Sequence, residues 1–296
     1  LGQPDLPIPS WRQRGKHQEL TMYSPYGGQA RGGPILPQPQ VWGPTVQQDY
    51  APGYQPGHRP SPWVQNGIDY RQVLLLLGLL VLIYLLWDTQ LVYPIKLLVV
   101  FFHESSHAIA AIITGGRVQS IDISPLVGGA CQTAGGNRLL VLSAGYLGSL
   151  FWGGTILLLA ARTNWDRTIS LVLGTIVVLI GVILVRPMGS FGQLFVLAAG
   201  AGLFACGTLL PVQVNDIVLR VVGLTSVIYP PLDIKDDVLD RPYLKSDAVM
   251  LSELTGVSVV HIGMAWIGIA IVCAIFFLFE ASRPKLRMHP QGYYYY

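Results

Sequence analysis

Long apolar segments without charged residues constrain the fold of this chain more than any other feature. Residues 139–161 and 257–279 contain no Asp, Glu, Lys or Arg. Each is longer than the roughly 20 residues that a helix needs to cross the hydrocarbon core of a bilayer. Charged residues make up 12% of the chain, whereas an average soluble domain has about 25%. We therefore expect an integral, multi-pass membrane protein embedded in the lipid bilayer.

Four further segments complete the predicted set of spans, namely 68–87, 91–114, 168–185 and 191–210. The segment 214–229 is also apolar, but it is short and is interrupted by Asp216 and Arg220, which we interpret as interfacial charges. The sequence therefore predicts an all-α polytopic protein with six transmembrane helices, or with seven if residues 214–229 also cross.

The two ends of the chain differ in composition from its apolar centre. Residues 1–67 contain 12 of the 21 prolines and many Gly, Gln and Tyr residues. A segment of this composition cannot bury enough apolar surface to offset the entropy lost on ordering, so we predict a disordered tail. We expect residues 68–280 to form the membrane-embedded domain, and residues 281–296 to form a short basic tail rich in Tyr.

A His-Glu-x-x-His motif lies inside the predicted helix 91–114, at His103, Glu104 and His107. Residues four apart share one helix face, so the two imidazoles can converge on one metal ion. Glu104 is placed to take a proton from a water bound to that metal. Alternatively, neighbouring helices satisfy all three polar groups, but ionisable side chains at membrane depth are costly and usually functional. The motif therefore predicts a Zn²⁺ site with Glu104 as the catalytic base.

Residues 117–136, directly after the motif helix, have a different pattern. Polar and apolar residues alternate from Val118 to Ser124, and two Gly-Gly pairs follow. This pattern predicts a small β-hairpin or loop. Irregular backbone at membrane depth has to be buried in protein or line a wet cavity. The segment is therefore either a wall of the active site or a loop outside the membrane.

Taken together, these motifs resemble the site-2-protease-like intramembrane zinc metalloproteases, in particular their compact peptidase-like branch. The resemblance covers roughly residues 73–279. The segments that carry it are Phe102–Ala108, Thr114–Val118, Ser143–Ser149, Ser246–Ala248 and Thr255–Gly256.

The resemblance implies a zinc metalloprotease that cuts a peptide bond in or near a transmembrane segment of a membrane-protein substrate. The two zinc-binding histidines of the family fall on His103 and His107, and its catalytic glutamate falls on Glu104. The family also implies that a strand near 117–134 holds the substrate in an extended conformation, as strand addition to a free sheet edge would do.

The third zinc ligand is expected to be a carboxylate from late in the chain, because no third His or Cys is well placed. Asp247 is favoured, since it opens a helix in the Ser-Asp-Ala context of the resembling branch, although it is also a candidate for a simple helix cap beside Ser246. Asp233 is the alternative. It follows Tyr229–Leu232, a segment that resembles the proline-bearing approach of the family to its ligand aspartate, but Ile234 replaces the expected Gly. If Asp247 is the ligand, Asp233 is expected to orient a histidine.

Two other functions compete with proteolysis. A catalytically silent relative would bind membrane clients without cutting them, and the intact motif argues against it. A transporter of zinc or protons would be expected to carry polar groups in several spans and often a His-rich loop, and the sequence lacks such a loop. The net charge of +3 is dispersed, so the sequence gives no indication of nucleic-acid binding.

Overall fold

A computed structural model describes residues 62–126, 128–240, 245–285, 287–288 and 294–295. It contains eight described helices: α1 (Tyr70–Leu85), α2 (Tyr93–Ile113), α3 (Arg138–Arg162), α4 (Asp166–Ile183), α5 (Phe191–Leu209), α6 (Val212–Lys235), α7 (Asp247–Thr255) and α8 (Val259–Ala281). Three antiparallel strand pairs accompany them: β1 (Val64–Gln65) with β2 (Ile68–Asp69), β3 (Arg117–Ser124) with β4 (Gly128–Ala134), and β5 (Arg287–Met288) with β6 (Tyr294–Tyr295). The tail predicted for residues 1–67 lies outside the described residues, except for its last six.

Six helices within the described ranges are long and apolar enough to cross a membrane, namely α2, α3, α4, α5, α6 and α8. The prediction of an all-α polytopic membrane protein with a small hairpin is therefore confirmed. Two details differ from the expectation. Helix α1 has 16 residues, which is short for a span. The doubtful segment 214–229 lies inside α6, which has 24 residues.

Helix α6 accommodates its charged residues by pairing them. The Nε atom of Arg220 donates to Oδ2 of Asp216, one turn earlier, at 2.9 Å. A second nitrogen of Arg220 donates to the side-chain oxygen of Gln72 in α1 at 3.2 Å. Arg220 is 2% exposed, so it is a buried and paired cation, and its interpretation as an interfacial charge stays a prediction.

Helix α2 lies at the centre of the protein. Every residue from Leu97 to Ala108 is buried, so the helix has no solvent-facing or lipid-facing side over this length. A helix that is buried on all faces has to be surrounded by other elements, and α3, α6 and the hairpin β3–β4 surround this one. The helix ends at Thr114, and Gly115 follows with φ of +83°, a left-handed conformation that Gly adopts without strain.

Strand β3 of the hairpin β3–β4 forms hydrogen bonds on both of its edges. Strand β3 pairs with β4 in an antiparallel register that sets Ile121 opposite Cys131 and Ile123 opposite Gly129. On its other edge, Ile121 receives a hydrogen bond from Arg186 N and donates one to Leu184 O, both in the segment after α4. Strand β3 is thus paired on two edges, and β4 forms the outer edge of this small sheet.

The chain reaches the centre a second time after α6. Pro230 and Pro231 lie within the last turns of this helix, and a five-residue π-helical turn follows over Asp236–Asp240. Helix α7 then begins at Asp247, with the hydroxyl of Ser246 accepting a hydrogen bond from the backbone N–H of Val249. Because Ser246 provides the cap, the carboxylate of Asp247 is available for another contact.

Candidate metal centre

Two histidines of α2 and one aspartate of α7, which are far apart in the sequence, lie together in the structure. The Nε2 atoms of His103 and His107 each lie 2.9 Å from Oδ2 of Asp247. Their potential ligand atoms all lie within 4.8 Å of one another. The two histidines are 9% and 6% exposed, so the cluster is enclosed. Among the described residues, these three form a group that could hold a metal ion.

The orientation of His107 is fixed by the backbone of α3. Its Nδ1 atom donates to the carbonyl oxygen of Val141 at 2.6 Å. A histidine that donates from one ring nitrogen presents the other nitrogen as an acceptor, and this arrangement commonly orients metal-binding histidines. Nε2 of His107 therefore faces the cluster, and in the neutral ring it is the acceptor that a metal ion requires.

Electrostatics around α7 favour an ionised Asp247. Burial by itself disfavours the charged carboxylate, but the imidazoles of His107 and His103 outweigh it and hold the pKa of Asp247 well below its usual range. On β4, burial raises the pKa of the Cys131 thiol to about 12, and the carboxylates of Glu104 and Asp247 act in the same direction. Asp247 is thus an anion, whereas Cys131 is a neutral, half-buried thiol.

The donor set fits a zinc ion. Two imidazole nitrogens and one carboxylate oxygen are ligands that catalytic zinc sites use, and tetrahedral bonds of about 2 Å place such atoms roughly 3.3 Å apart. The observed separations of 2.9 Å to Oδ2 of Asp247 are close to that spacing. The neighbouring helix leaves room, because a Cβ atom at Gly145 would overlap the Nε2 atoms of both His103 and His107.

Glu104 lies against the outer edge of β4. Its carboxylate lies close to the backbone N–H of Cys131. A Cβ atom at Gly129 would come within 2.6 Å of Oε1 of Glu104, so glycine is what allows the strand to lie this close. Of the two interpretations of the hairpin, the structure therefore favours a wall beside the motif.

Asp233, the alternative carboxylate, lies in the same cavity but is not one of the three clustered residues. The cavity has a volume of about 320 Å³, and both carboxylates line it. Asp233 lies close to the hydroxyl of Tyr229. Similarly, Tyr146 donates to Oδ2 of Asp237 at 2.9 Å, and its ring meets that of His103 edge to face. A second layer of tyrosine–aspartate pairs thus borders the cluster.

Sequence reasoning did not identify several of these residues. The segment Ser143–Ser149 entered only as a motif of the family resemblance, whereas Gly145 within it faces the two imidazoles. Sequence reasoning assigned no particular role to Gly129, Tyr229 or Asp237. Gly129 lies two residues before Cys131 in a Gly-rich strand. This pattern would indicate the role of Gly129 only if the strand edge were already known to face Glu104.

Comparison with known proteins gives one match. The family model described as Peptidase M50B-like matches residues 76–277. Curated proteins and solved structures give no match. The matched region contains the motif residues on α2 and the aspartate that opens α7, together with all or most of each of the six apolar helices. The chain therefore belongs to the Peptidase M50B-like family and is a site-2-protease-like peptidase and integral, multi-pass membrane protein.

Proposed function

We propose that this protein is an intramembrane zinc metalloendopeptidase that hydrolyses a peptide bond in or near a transmembrane segment of another membrane protein. The observation that carries the proposal is the convergence of His103, His107 and Asp247 beside Glu104. Membership of a peptidase family supports the reaction class, and the six apolar helices support a substrate that lies in the bilayer.

The chemistry of the reaction follows from the roles of these side chains. His103, His107 and Asp247 would hold a Zn²⁺ ion, and the ion would supply a Lewis acid for the scissile carbonyl and for the attacking water. Glu104 accepts a proton from the attacking water and delivers it to the leaving amine nitrogen. Val141 keeps the ring of His107 in the orientation that ligation needs.

The outer edge of β4 is suited to hold the substrate. Ile121 directs its N–H and C=O away from β4, toward residues 184–186, so the opposite residue Cys131 directs its own groups away from β3. Gly129 lies two residues earlier on the strand, so its N–H and C=O point in the same direction as those of Cys131. Backbone groups of Gly129 and Cys131 therefore point outward beside Glu104, where an extended substrate segment can add as a further strand.

Strand addition also resolves a difficulty that a helical substrate presents. The peptide bonds of a transmembrane helix are shielded by their own hydrogen bonds, and exposing them in lipid leaves polar groups unsatisfied. The edge of β4 offers replacement partners. The adjoining cavity is lined by the polar side chains of Asp233, Asp237 and Lys245, so water can reach the bond to be cut.

The proposal is tested with the purified full chain in detergent or vesicles. We expect about one zinc ion per chain by elemental analysis, and loss of zinc in His103→Ala and in His107→Ala. His261→Ala, on the exposed side of α8, is the matched control and should keep the metal. Glu104→Gln should keep both zinc and fold but lose cleavage of a membrane-embedded peptide.

Two outcomes would overturn the proposal. Full zinc retention in both histidine variants would exclude the assigned site. Zinc-loaded wild-type protein that binds membrane peptides but cleaves none of a broad panel would instead indicate a silent client-binding relative of the peptidases.

A further inference from the structure

A second cavity, of about 590 Å³, adjoins the candidate metal centre. It shares His107, Asp247 and Met250 with the first cavity. The first cavity contacts residues 128–130 of β4, and the second contacts residues 131–133. The two cavities therefore meet at the metal centre and follow one strand edge, so a substrate extended along β4 would occupy both.

The charges that line the two cavities are opposite in kind. The carboxylates of Asp233 and Asp237 line the first cavity together with Lys245. In the second cavity, polar groups of Gln119, Gln132 and Thr133 accompany Arg138. Among the described residues that line the second cavity, His107 and Asp247 are candidate metal ligands and Cys131 is a neutral thiol. Arg138 is the one other charged or titratable group of this lining.

The guanidinium group of Arg138 is available for a ligand. The residue begins α3 and is exposed. In the described ranges no Asp or Glu side chain forms an ion pair with it. Guanidinium presents several N–H donors in a planar fork whose geometry matches a carboxylate. A substrate carboxylate that enters the second cavity thus finds a complementary, unpaired cation.

The position of that carboxylate in the substrate follows from the helix geometry. Val141 accepts the hydrogen bond from His107 at 2.6 Å, and Arg138 lies three residues earlier on α3. At about 1.5 Å of rise per residue, the backbone of Arg138 is roughly 4.5 Å further along the helix axis. Its long side chain extends the reach, and an extended substrate advances about 3.3 Å per residue. Arg138 therefore meets the substrate about two to four residues from the scissile bond.

We propose that Arg138 is a specificity-determining residue, which selects substrates with a carboxylate two to four residues from the scissile bond, on the side that occupies the second cavity. The carboxylate belongs either to an Asp or Glu side chain or to the C-terminus of the substrate. This inference rests on the proposed peptidase function and adds the substrate feature that the site recognises.

The test uses zinc-loaded full-length protein in vesicles and synthetic peptides that share one apolar membrane segment. Each peptide carries Glu, Gln or Lys at one position within six residues of the cleaved bond, which mass spectrometry identifies. All of these peptides have amidated C-termini. One further peptide lacks Glu and ends in a free carboxylate at the favoured position, which separates the side-chain source from the chain terminus.

We expect wild-type protein to cleave the favoured Glu peptide with a kcat/KM roughly fivefold above that of the Gln peptide, as for an exposed ion pair. Arg138→Gln should remove the preference, and Arg138→Glu should reverse it in favour of Lys. Arg117→Glu is the matched control, because Arg117 is an exposed arginine at the start of β3 that lines neither cavity. It should leave the preference unchanged. An unchanged preference for Glu in Arg138→Glu overturns the inference.

A binding measurement separates this inference from the proposed function. The zinc-loaded Glu104→Gln variant is titrated with fluorescent versions of the same Glu, Gln and Lys peptides. Charge-dependent binding that reverses with Arg138→Glu supports the subsite even if wild-type protein cleaves nothing, in which case the proposed catalysis alone fails. Binding that ignores the peptide charge overturns the subsite, whatever the cleavage assay shows.

Discussion

Oδ2 of Asp247 lies 2.9 Å from Nε2 of His103, although 144 residues separate the two in the chain. The contact joins the central helix α2 to the short helix α7, which follows α2 in the chain after the two strands β3 and β4 and the four helices α3 to α6. A carboxylate in direct contact with two imidazoles is where a positive ion adds most to the stability of the arrangement. Asp233, by contrast, lies beside Tyr229 in the surrounding layer.

Asp247→Ala should therefore lower zinc affinity much more than Asp233→Ala does. Loss of Asp247 removes a ligand and its charge, whereas loss of an outer partner commonly costs about 10- to 100-fold in metal affinity. The measurement is a competition titration with a zinc-binding dye. Asp122→Ala, on the exposed face of β3, controls for a general loss of negative charge. The reverse order would reassign the third ligand to Asp233, and no effect of either change would exclude a late aspartate.

Gly145→Ala should abolish zinc binding while leaving the helical fold in place. The new methyl group would overlap the Nε2 atoms of both imidazoles, so the rings would have to turn away from the cluster. Elemental analysis gives the zinc content, and circular dichroism gives the helix content. Gly202→Ala is the matched control, because a Cβ atom at this helical position of α5 meets no atom within 4 Å. Equal zinc content in both variants would show that Gly145 does not limit the space of the site.

Gly129→Ala should keep zinc but lower cleavage by about a hundredfold, since displacements of about 1 Å at a reacting centre have effects of this size. Its methyl group would push β4 away from Glu104, or Glu104 away from β4. The adjacent Gly128→Ala is the control, with no atom within 4 Å of the added carbon. Cleavage rates of a membrane-embedded peptide and zinc contents are compared for the two variants. Unimpaired cleavage by Gly129→Ala would contradict the close approach of the strand to the catalytic base.

Arg220→Ala should lower the free energy of unfolding by about 2 kcal/mol, because the side chains of Asp216 and Gln72 lose a buried hydrogen-bond donor. Lys285, 3.5 Å from Asp216, compensates part of the lost charge. The guanidinium group contacts Asp216 and Gln72 at once. Unfolding is followed by denaturant titration in mixed micelles. Arg167→Ala, on the exposed surface of α4, should change the stability by less than about 0.5 kcal/mol. Similar stabilities for the two variants would argue that the Arg220 contacts contribute nothing.

Periodicity and apolar length predicted most of the fold. Of the two exceptions, the short α1 and the long α6, pairing between side chains explains the second. The motif helix, the hairpin and four of the later helices begin and end within about three residues of the predicted positions. For α6, the charges at Asp216 and Arg220 made a crossing doubtful. A sequence shows each charge but not the 2.9 Å contact that neutralises the pair, so the sequence left a crossing by this short segment open.

For the candidate site, the sequence shows the spacing of residues within one helix, but it does not show which distant residue packs against that helix. The four-residue spacing of His103 and His107 places both rings on one face from the sequence alone. No local pattern states which late aspartate returns to that face, because this depends on how the chain turns after Pro230 and Pro231. The role of Gly145 could not be derived either, since a glycine in a helix shows its purpose only when the opposite side chains are known.

The two hydrogen bonds of Ile121 to Leu184 and Arg186 have a mechanical consequence. They connect the hairpin to the segment between α4 and α5, two helices that pack mainly against each other. A substrate strand on β4 would extend one continuous ladder of hydrogen bonds from that helix pair to the bond being cut. Any displacement of this helix pair would therefore be transmitted through β3 to the edge of β4 that we propose as the substrate site.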